Sequence, residues 1–177
     1  TIVGHIVRWL KYSLAFYPKW LKSILAFTTY VPTDEGWLYL CSILDLCSRR
    51  VVGWAVSKNI DQNLAISALM NAVRNRNPKK GLIFHTDRGC QYASSGFRSA
   101  VASMGGIQSM SRSGNPYDNA CAESFFKSLK VECLHTMAFC LKGQAVRAIQ
   151  EYLLHYNRVR IHASLGYLSP VDFEDCL

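Results

Sequence analysis

The sequence predicts an α/β domain with a single five-stranded sheet of mixed strand direction flanked by helices, and three observations predict it. Residues 25–57 hold three β-branched and aromatic runs separated by short polar turns, the pattern of an antiparallel meander. Residues 61–110 then alternate a helix-periodic stretch with a short apolar run, twice over, as crossovers between parallel strands do. The rest is helix-periodic from about residue 120, which supplies cover for the sheet. With 177 residues, 50% of them hydrophobic, the chain has length for one domain with a substantial core.

Taken in order, residues 1–24, "TIVGHIVRWLKYSLAFYPKWLKSI", are apolar and basic with neither clean alternation nor a cap. They are expected to stand apart, as an irregular or non-native segment, from a core domain over 25–177. "LAFTTYVP", "GWLYLCSILDL" and "RRVVGWAVS" read as strands, broken by "TDEG" and "CS". Asp61 caps a helix in which Leu64, Ala65, Ala68, Leu69, Ala72 and Val73 recur at spacings of three and four. "GLIFHT" is a buried strand, "SSGFRSAVASMG" a helix stopped by Gly105, and "GIQSM" a brief strand. The turn-rich "SRSGNPYDN" leads, through Asp118 or Asn119 as cap, into the helix "ACAESFFKSLKVECL". A last helix around Gln144–Tyr156 carries Ala145, Ala148, Ile149, Tyr152, Leu153 and Tyr156 on one stripe, before the polar-basic "NRVRIHASLGYLSP". Trp37, Tyr39, Trp54 and the strand cysteines are expected in the core.

Lys and Arg total 20 against 12 acids, a net charge of +8, which points to a polyanionic partner such as nucleic acid. The seven cysteines are odd in number, lack a Cys-x-x-Cys pair and sit mostly among apolar neighbours, so free thiols in a reducing compartment are expected. No zinc-like spacing joins them to His155 or His162. Arg8, Lys11, Lys19 and Lys22 interrupt the N-terminal apolar stretch, and the uncharged run 23–33 is far shorter than the roughly 20 residues that span a bilayer. A soluble cytoplasmic chain that makes no membrane contact is therefore expected.

Two carboxylates have the setting of a site. Asp87 closes the strand "GLIFHT", and ligands gather at strand ends in such sheets. Glu123 lies opposite Phe125 and Leu129 on its helix, while Lys127 and Lys130, four and seven residues on, share its face. Each also has a structural reading: Asp87 as turn-former or cap, and Glu123 with Lys127 as an exposed pair worth only about 0.3–0.5 kcal/mol.

"PTDEGWLYLCSILDLCSRRVVGWAVS", "HTDRGCQYAS", "SRSGNPYDNACAESFFKSLKVE" and "YNRVRIHASLGYLSP" stand in this order. Together they resemble the catalytic core of bacterial insertion-sequence transposases related to retroviral integrase, the Asp-Asp-Glu polynucleotidyl transferases with a ribonuclease-H-like fold. The resemblance covers residues 28–174, and 35 residues separate Asp87 from Glu123, the spacing of the integrase-type motif. It implies catalytic and metal-binding roles for Asp87 and Glu123, and DNA contact by Lys127 and Lys130. It also implies DNA cleavage and strand transfer at a two-metal site of Mg²⁺ or Mn²⁺, with transposon ends and target DNA as partners. Since two DNA ends must be synapsed, a homo-oligomer on DNA follows, and with it association with the bacterial nucleoid. Phosphodiester chemistry of this kind needs two ions about 3.5–4 Å apart, one activating the nucleophile and one steadying the leaving oxygen, and hard cations want carboxylate oxygen.

One position departs from the pattern. The family's first aspartate belongs two residues before "TY", and there this chain has Phe27; residues 1–33 contain no Asp or Glu at all. Asp34 and Asp45 would need a register change to replace it. The metal site is therefore expected to be incomplete and strand transfer impaired, in a copy whose text is decayed or frame-disrupted ahead of Thr28. A catalytically inactive DNA-binding remnant, or a dominant-negative partner of intact transposase, is the alternative. A hydrolase of the same fold is disfavoured by "HASLGYLSP", which belongs to the transposase pattern. DNA contact is further expected from Arg88 and Asn119, and from a phosphate-binding patch of Arg158, Arg160 and His162. Gly89 is expected to give the turn after Asp87 its backbone freedom, and residues 113–117 to form a gate over substrate.

Overall fold

A computed structural model describes residues 23–111 and 120–177. Nine-residue β1 (Ser23–Val31) pairs antiparallel with β2 (Leu38–Asp45), which pairs antiparallel with β3 (Val51–Ser57). The chain then forms α1 (Gln62–Arg76) and returns as β4 (Ile83–Thr86), parallel to β1 on its other side. After α2 (Cys90–Ala93) and α3 (Ser95–Ser103), β5 (Ile107–Met110) adds parallel to β4 and completes the sheet order β3-β2-β1-β4-β5. Helices α4 (Ala120–Leu129), α5 (Lys142–Arg158) and α6 (Pro170–Asp175) follow, with one π-helical stretch, Lys130–Leu134, running on from α4. This is the mixed five-stranded α/β architecture the sequence predicts. Strand β1 begins at Ser23, and the expectations placed on residues 1–22 and 112–119, the gate and Asn119 among them, lie outside the described residues.

Because β1 is the middle strand, both its faces are covered and it reads as a continuous apolar run. Leu25, Phe27 and Val31 face one core with Phe125 and Leu129 of α4 and Ile149, Leu153 and Tyr156 of α5. Ile24 and Ala26 face the other, with Cys41, Ile43, Leu69, Phe84, Tyr92 and Phe97. Helix α1 starts where expected, the Asp61 carboxylate accepting the Leu64 N–H at 2.9 Å. It lies so close to β3 that a methyl group added at Gly53 would stand 2.5 Å from the Ala68 carbonyl oxygen. Outer strand β3 is kept from further pairing by asparagines: Asn71 and Asn75 donate to the Trp54 and Val52 carbonyls, and Asn157 satisfies both backbone groups of Val51.

Two features differ from the sequence reading. Trp37 is 53% exposed: it lies in the turn ahead of β2, outside the alternation that buries its neighbours, and meets the Tyr30 ring edge-on at 5.1 Å. Trp54 and Tyr39 are half-buried. The C-terminal α6 was hidden in "SPVDFED", where Ser169 caps the Asp172 N–H and Pro170 takes the first helical position. Glu174 of α6 receives Ser48 Oγ (2.7 Å), Arg50 (2.6 Å) and Arg76. Burial alone would raise its pKa, but those three donors outweigh burial and hold it below the ordinary carboxylate value.

Gly53→Ala should therefore lower the free energy of unfolding by about 1–3 kcal/mol, as overpacking does, read from urea midpoints. Glu174→Gln should also destabilise, and the gap to the parent should depend on pH. A carboxyl whose folded pKa is depressed contributes stability above its unfolded value near 4.5, lost as pH falls through the folded pKa. Melting curves at descending pH should show the two proteins converging in acid; a constant gap would contradict this role.

Candidate active site

The site grows from the parallel pairing of β1 with β4. Ala26 is opposite Thr86, so the next pair of positions, 27 in the middle of β1 and 87 just past the end of β4, stand level on neighbouring strands. The sheet thus sets Asp87 beside Phe27. Past β4 the chain turns sharply, with the Asp87 carboxylate accepting the Gly89 N–H at 2.7 Å. Gly89 has φ −57, so its value is space and not backbone freedom: a methyl group there would come within 2.8 Å of the Asp87 carboxylate and 2.6 Å of the Gln91 side chain. Arg88 sends its Nε to the Ser111 carbonyl (3.0 Å), tying this turn to the end of β5. Tyr92 is fully buried beneath, its hydroxyl 2.8 Å from Thr28 Oγ1 and 3.4 Å from Cys41 Sγ. Burial pushes the Cys41 thiol up to about 11 and the Tyr92 hydroxyl well above its ordinary value, so both are neutral polar links across the top of β1 and β2.

Helix α4 is seated on the same spot. Phe27, 3% exposed, meets Phe126 edge-on at 4.6 Å and Phe125 at 5.4 Å. With Phe125 and Leu129 directed inward, Glu123 and Lys127 are exposed on the outer face, as the helical spacing requires. Two segments bearing carboxylates therefore meet β1 near Phe27, the β4 end through strand pairing and α4 through its ring contacts. Neither other acid stands at that level. Asp45 pairs with Ile24 at the far end of β1, buried, with its carboxylate accepting Cys47 and Ser48 N–H groups. Asp34 lies beyond Val31, its backbone held by the Phe139 carbonyl. Among the described residues no three His, Cys, Asp or Glu side chains form a group able to hold a metal ion.

The expected basic patch divides. Arg158 is exposed at the end of α5. Arg160 instead turns onto Glu132, its Nε 2.9 Å and its Nη2 2.8 Å from the two carboxylate oxygens, with Nη2 also 3.1 Å from Ser128 Oγ. Tyr152 donates to the same carboxylate at 3.2 Å. Hydrogen bonding from Arg160 holds the Glu132 carboxyl below its usual range. Burial, and then the charge of Arg160, lowers the His162 pKa, so its ring is neutral at neutral pH. That ring lies edge-on to Tyr156 at 4.8 Å. Sequence reasoning missed these inward pairings, and also missed Arg49, whose guanidinium reaches Cys121 Sγ in the first turn of α4.

Among solved structures, similarity is found to the catalytic core domain of BIV integrase, with a TM-score of 0.68 at 14% identity over 88% of this chain and 94% of that one. A chain of the simian T-cell lymphotropic virus intasome in complex with PP2A regulatory subunit B56 gamma superposes with a TM-score of 0.73 at 19% identity, covering 87% of this chain and 54% of that one. These establish the fold, that of integrase catalytic cores. Residues 27–116 and 105–170 match the two Integrase core domain families, and the chain belongs to the integrase core domain family. Curated relatives include a transposase for insertion sequence element IS904 of Lactococcus lactis, 44% identical over 82% of this chain and 58% of the relative. Transposase InsF for insertion sequence IS3A of Escherichia coli is 44% identical over 89% of this chain and 54% of the relative. The chain spans a little over half the length of these relatives. No helix among the described residues is long and apolar enough to cross a membrane.

Arg160→Gln should lower the unfolding free energy by about 1 kcal/mol, the upper end for a well-oriented exposed pair, whereas Arg158→Gln should leave it unchanged within about 0.5 kcal/mol. Equal effects in denaturant titrations would refute the division of the patch.

Proposed function

We propose that this chain is the catalytic domain of an insertion-sequence transposase, descended from an enzyme of DNA cleavage and strand transfer, in which that chemistry is impaired at Phe27. The observation that carries the reading is the position of Phe27, level with Asp87 and beneath the helix of Glu123. A divalent-metal site of the integrase type takes three carboxylates, and one of the related structures is described as an HTLV-2 integrase core in complex with magnesium. The residues of this chain do not fit that group in full: Asp87 and Glu123 offer oxygen, and the third place holds a buried hydrocarbon ring. Fewer anionic oxygens mean weaker divalent binding.

Binding to DNA rests on other groups and need not vanish with the acid. Lys127 and Lys130 on α4 and Arg158 at the end of α5 are the cations suited to phosphate, with Arg88 beside Asp87 and Asn119 ahead of α4 as further contacts. Arg160 and His162 serve structure in this reading. The aromatic contacts of Phe27 with Phe125 and Phe126 favour a second reading as well. A domain whose core is completed by that ring can fold, bind transposon ends and enter an oligomer with intact transposase subunits without performing the chemistry.

Strand-transfer assays on labelled DNA carrying the terminal repeats of the element, in Mg²⁺ or Mn²⁺, should give no product with the chain as it stands. Phe27→Asp should yield product, and Phe27→Asn should not. Outer-shell partners alone are worth about 10–100-fold at metal sites, so the gain from restoring a ligand should be at least on that order. Strong activity of the unaltered chain would overturn the impairment.

A further inference from the structure

The end of β1 and the turn that follows it present two large aromatic rings to solvent. Tyr30 and Trp37 are 55% and 53% exposed, edge-to-face at 5.1 Å. Exposed aromatics on a loose loop would be unremarkable, but this turn is fastened at several points. Thr33 Oγ1 donates to the Gly36 carbonyl at 2.6 Å, and the Gly36 N–H returns to the Thr33 carbonyl at 2.9 Å. Gly36 has φ +95, a conformation that favours glycine. The Asp34 N–H bonds the Phe139 carbonyl (3.0 Å), and Glu35 accepts the Lys142 N–H (2.6 Å) at the start of α5. Two lysines stand close to the rings. Lys130 Nζ lies over the Tyr30 ring, 5.5 Å from its centroid, and Lys142 Nζ is 4.0 Å from the point where a Cβ on Gly36 would stand. Two carboxylates share the turn, Asp34 and Glu35, and Glu35 is held at the start of α5.

We propose that Tyr30, Trp37 and Lys130 form a stacking platform for an unpaired nucleotide at the end of a DNA substrate. Every base has a π-face, and stacking on exposed aromatics combined with cations for the flanking phosphates is how single strands are held without sequence preference. A base inside a duplex offers no open face, so the platform selects frayed, flipped or overhanging nucleotides. Lys130 joins it to the candidate site: the same residue follows α4, seven positions beyond Glu123 and three beyond Lys127. The proposal rests on the DNA-binding reading above and adds the strand structure that this end of the molecule recognises.

Affinity for a blunt duplex and for the same duplex with a short single-stranded overhang, measured by anisotropy at one salt concentration, tests it. The unaltered chain should bind the overhang more tightly on the order of 10-fold, the effect of one stacked base, and the overhang should quench tryptophan emission. Trp37→Ala and the Tyr30→Ala/Trp37→Ala pair should abolish both preference and quenching while leaving blunt-duplex affinity in place; Trp37→Phe should keep part of the preference. Equal affinity of the unaltered chain for both duplexes, or equal loss on both in the variants, would overturn the platform and leave the DNA-binding reading standing. Failure to bind either duplex would remove both.

Discussion

The placement of β1 at the centre of the sheet, antiparallel to β2 and parallel to β4, is the constraint on which the rest depends. A strand with neighbours on both sides and cover on both faces has no freedom of register, because a slip by one residue would exchange its two faces. Leu25 and Phe27 must meet α4 and α5, and Ile24 and Ala26 must meet the α1 side. The parallel partner then determines which residue of the β4 end stands level with which residue of β1, and so where Asp87 lies. Helix α4 is bound to the same strand through Phe125 and Phe126. Position 27 is in this way the meeting point of three segments far apart in sequence.

That position holds hydrocarbon, and the consequence for packing is direct. A phenylalanine there joins the aromatic cluster of Phe125, Phe126 and, through Phe125, Tyr156, burying apolar area and excluding water from the base of α4. A carboxylate in the same place would lose solvation and would need ions or donors to compensate. The fold is well served by the ring.

Positive charge is divided between contacts inside the fold and the exposed surface. Arg50 and Arg76 hold Glu174, Arg160 holds Glu132, Arg88 reaches the Ser111 carbonyl and Arg49 the Cys121 sulfur. The guanidinium fork matches a fixed carboxylate or carbonyl in two directions and is weakly hydrated, so it serves between elements. Lys127 and Arg158 remain on the exposed surface, with Lys130 against the Tyr30 ring. The net charge of +8 therefore overstates the number of cations directed to a polyanion, since Arg50 and Arg76 tie the β2–β3 turn and α1 to α6, and Arg160 ties the segment after α5 to the π-helical stretch.

Periodicity and capping are local properties, and the sequence by itself determined what depends on them: the order of strands and helices, Asp61 as a cap, the outward face of Glu123 and Lys127 opposite Phe125 and Leu129. The absence of an acid near "TTY" was likewise legible, because it needs only the order of residues. Tertiary structure alone decided that residue 27 stands level with Asp87, because strand pairing joins segments that no local pattern relates. It alone turned Arg160 onto Glu132 and brought Glu174 of a helix hidden behind "SP" to Arg50 and Arg76, since a charged side chain takes whichever partner the fold brings within reach. Trp37 was expected inside and is outside for the same reason: hydrophobicity predicts burial only where a neighbouring element arrives to cover the side chain, and among the described residues the turn ahead of β2 has none over that ring.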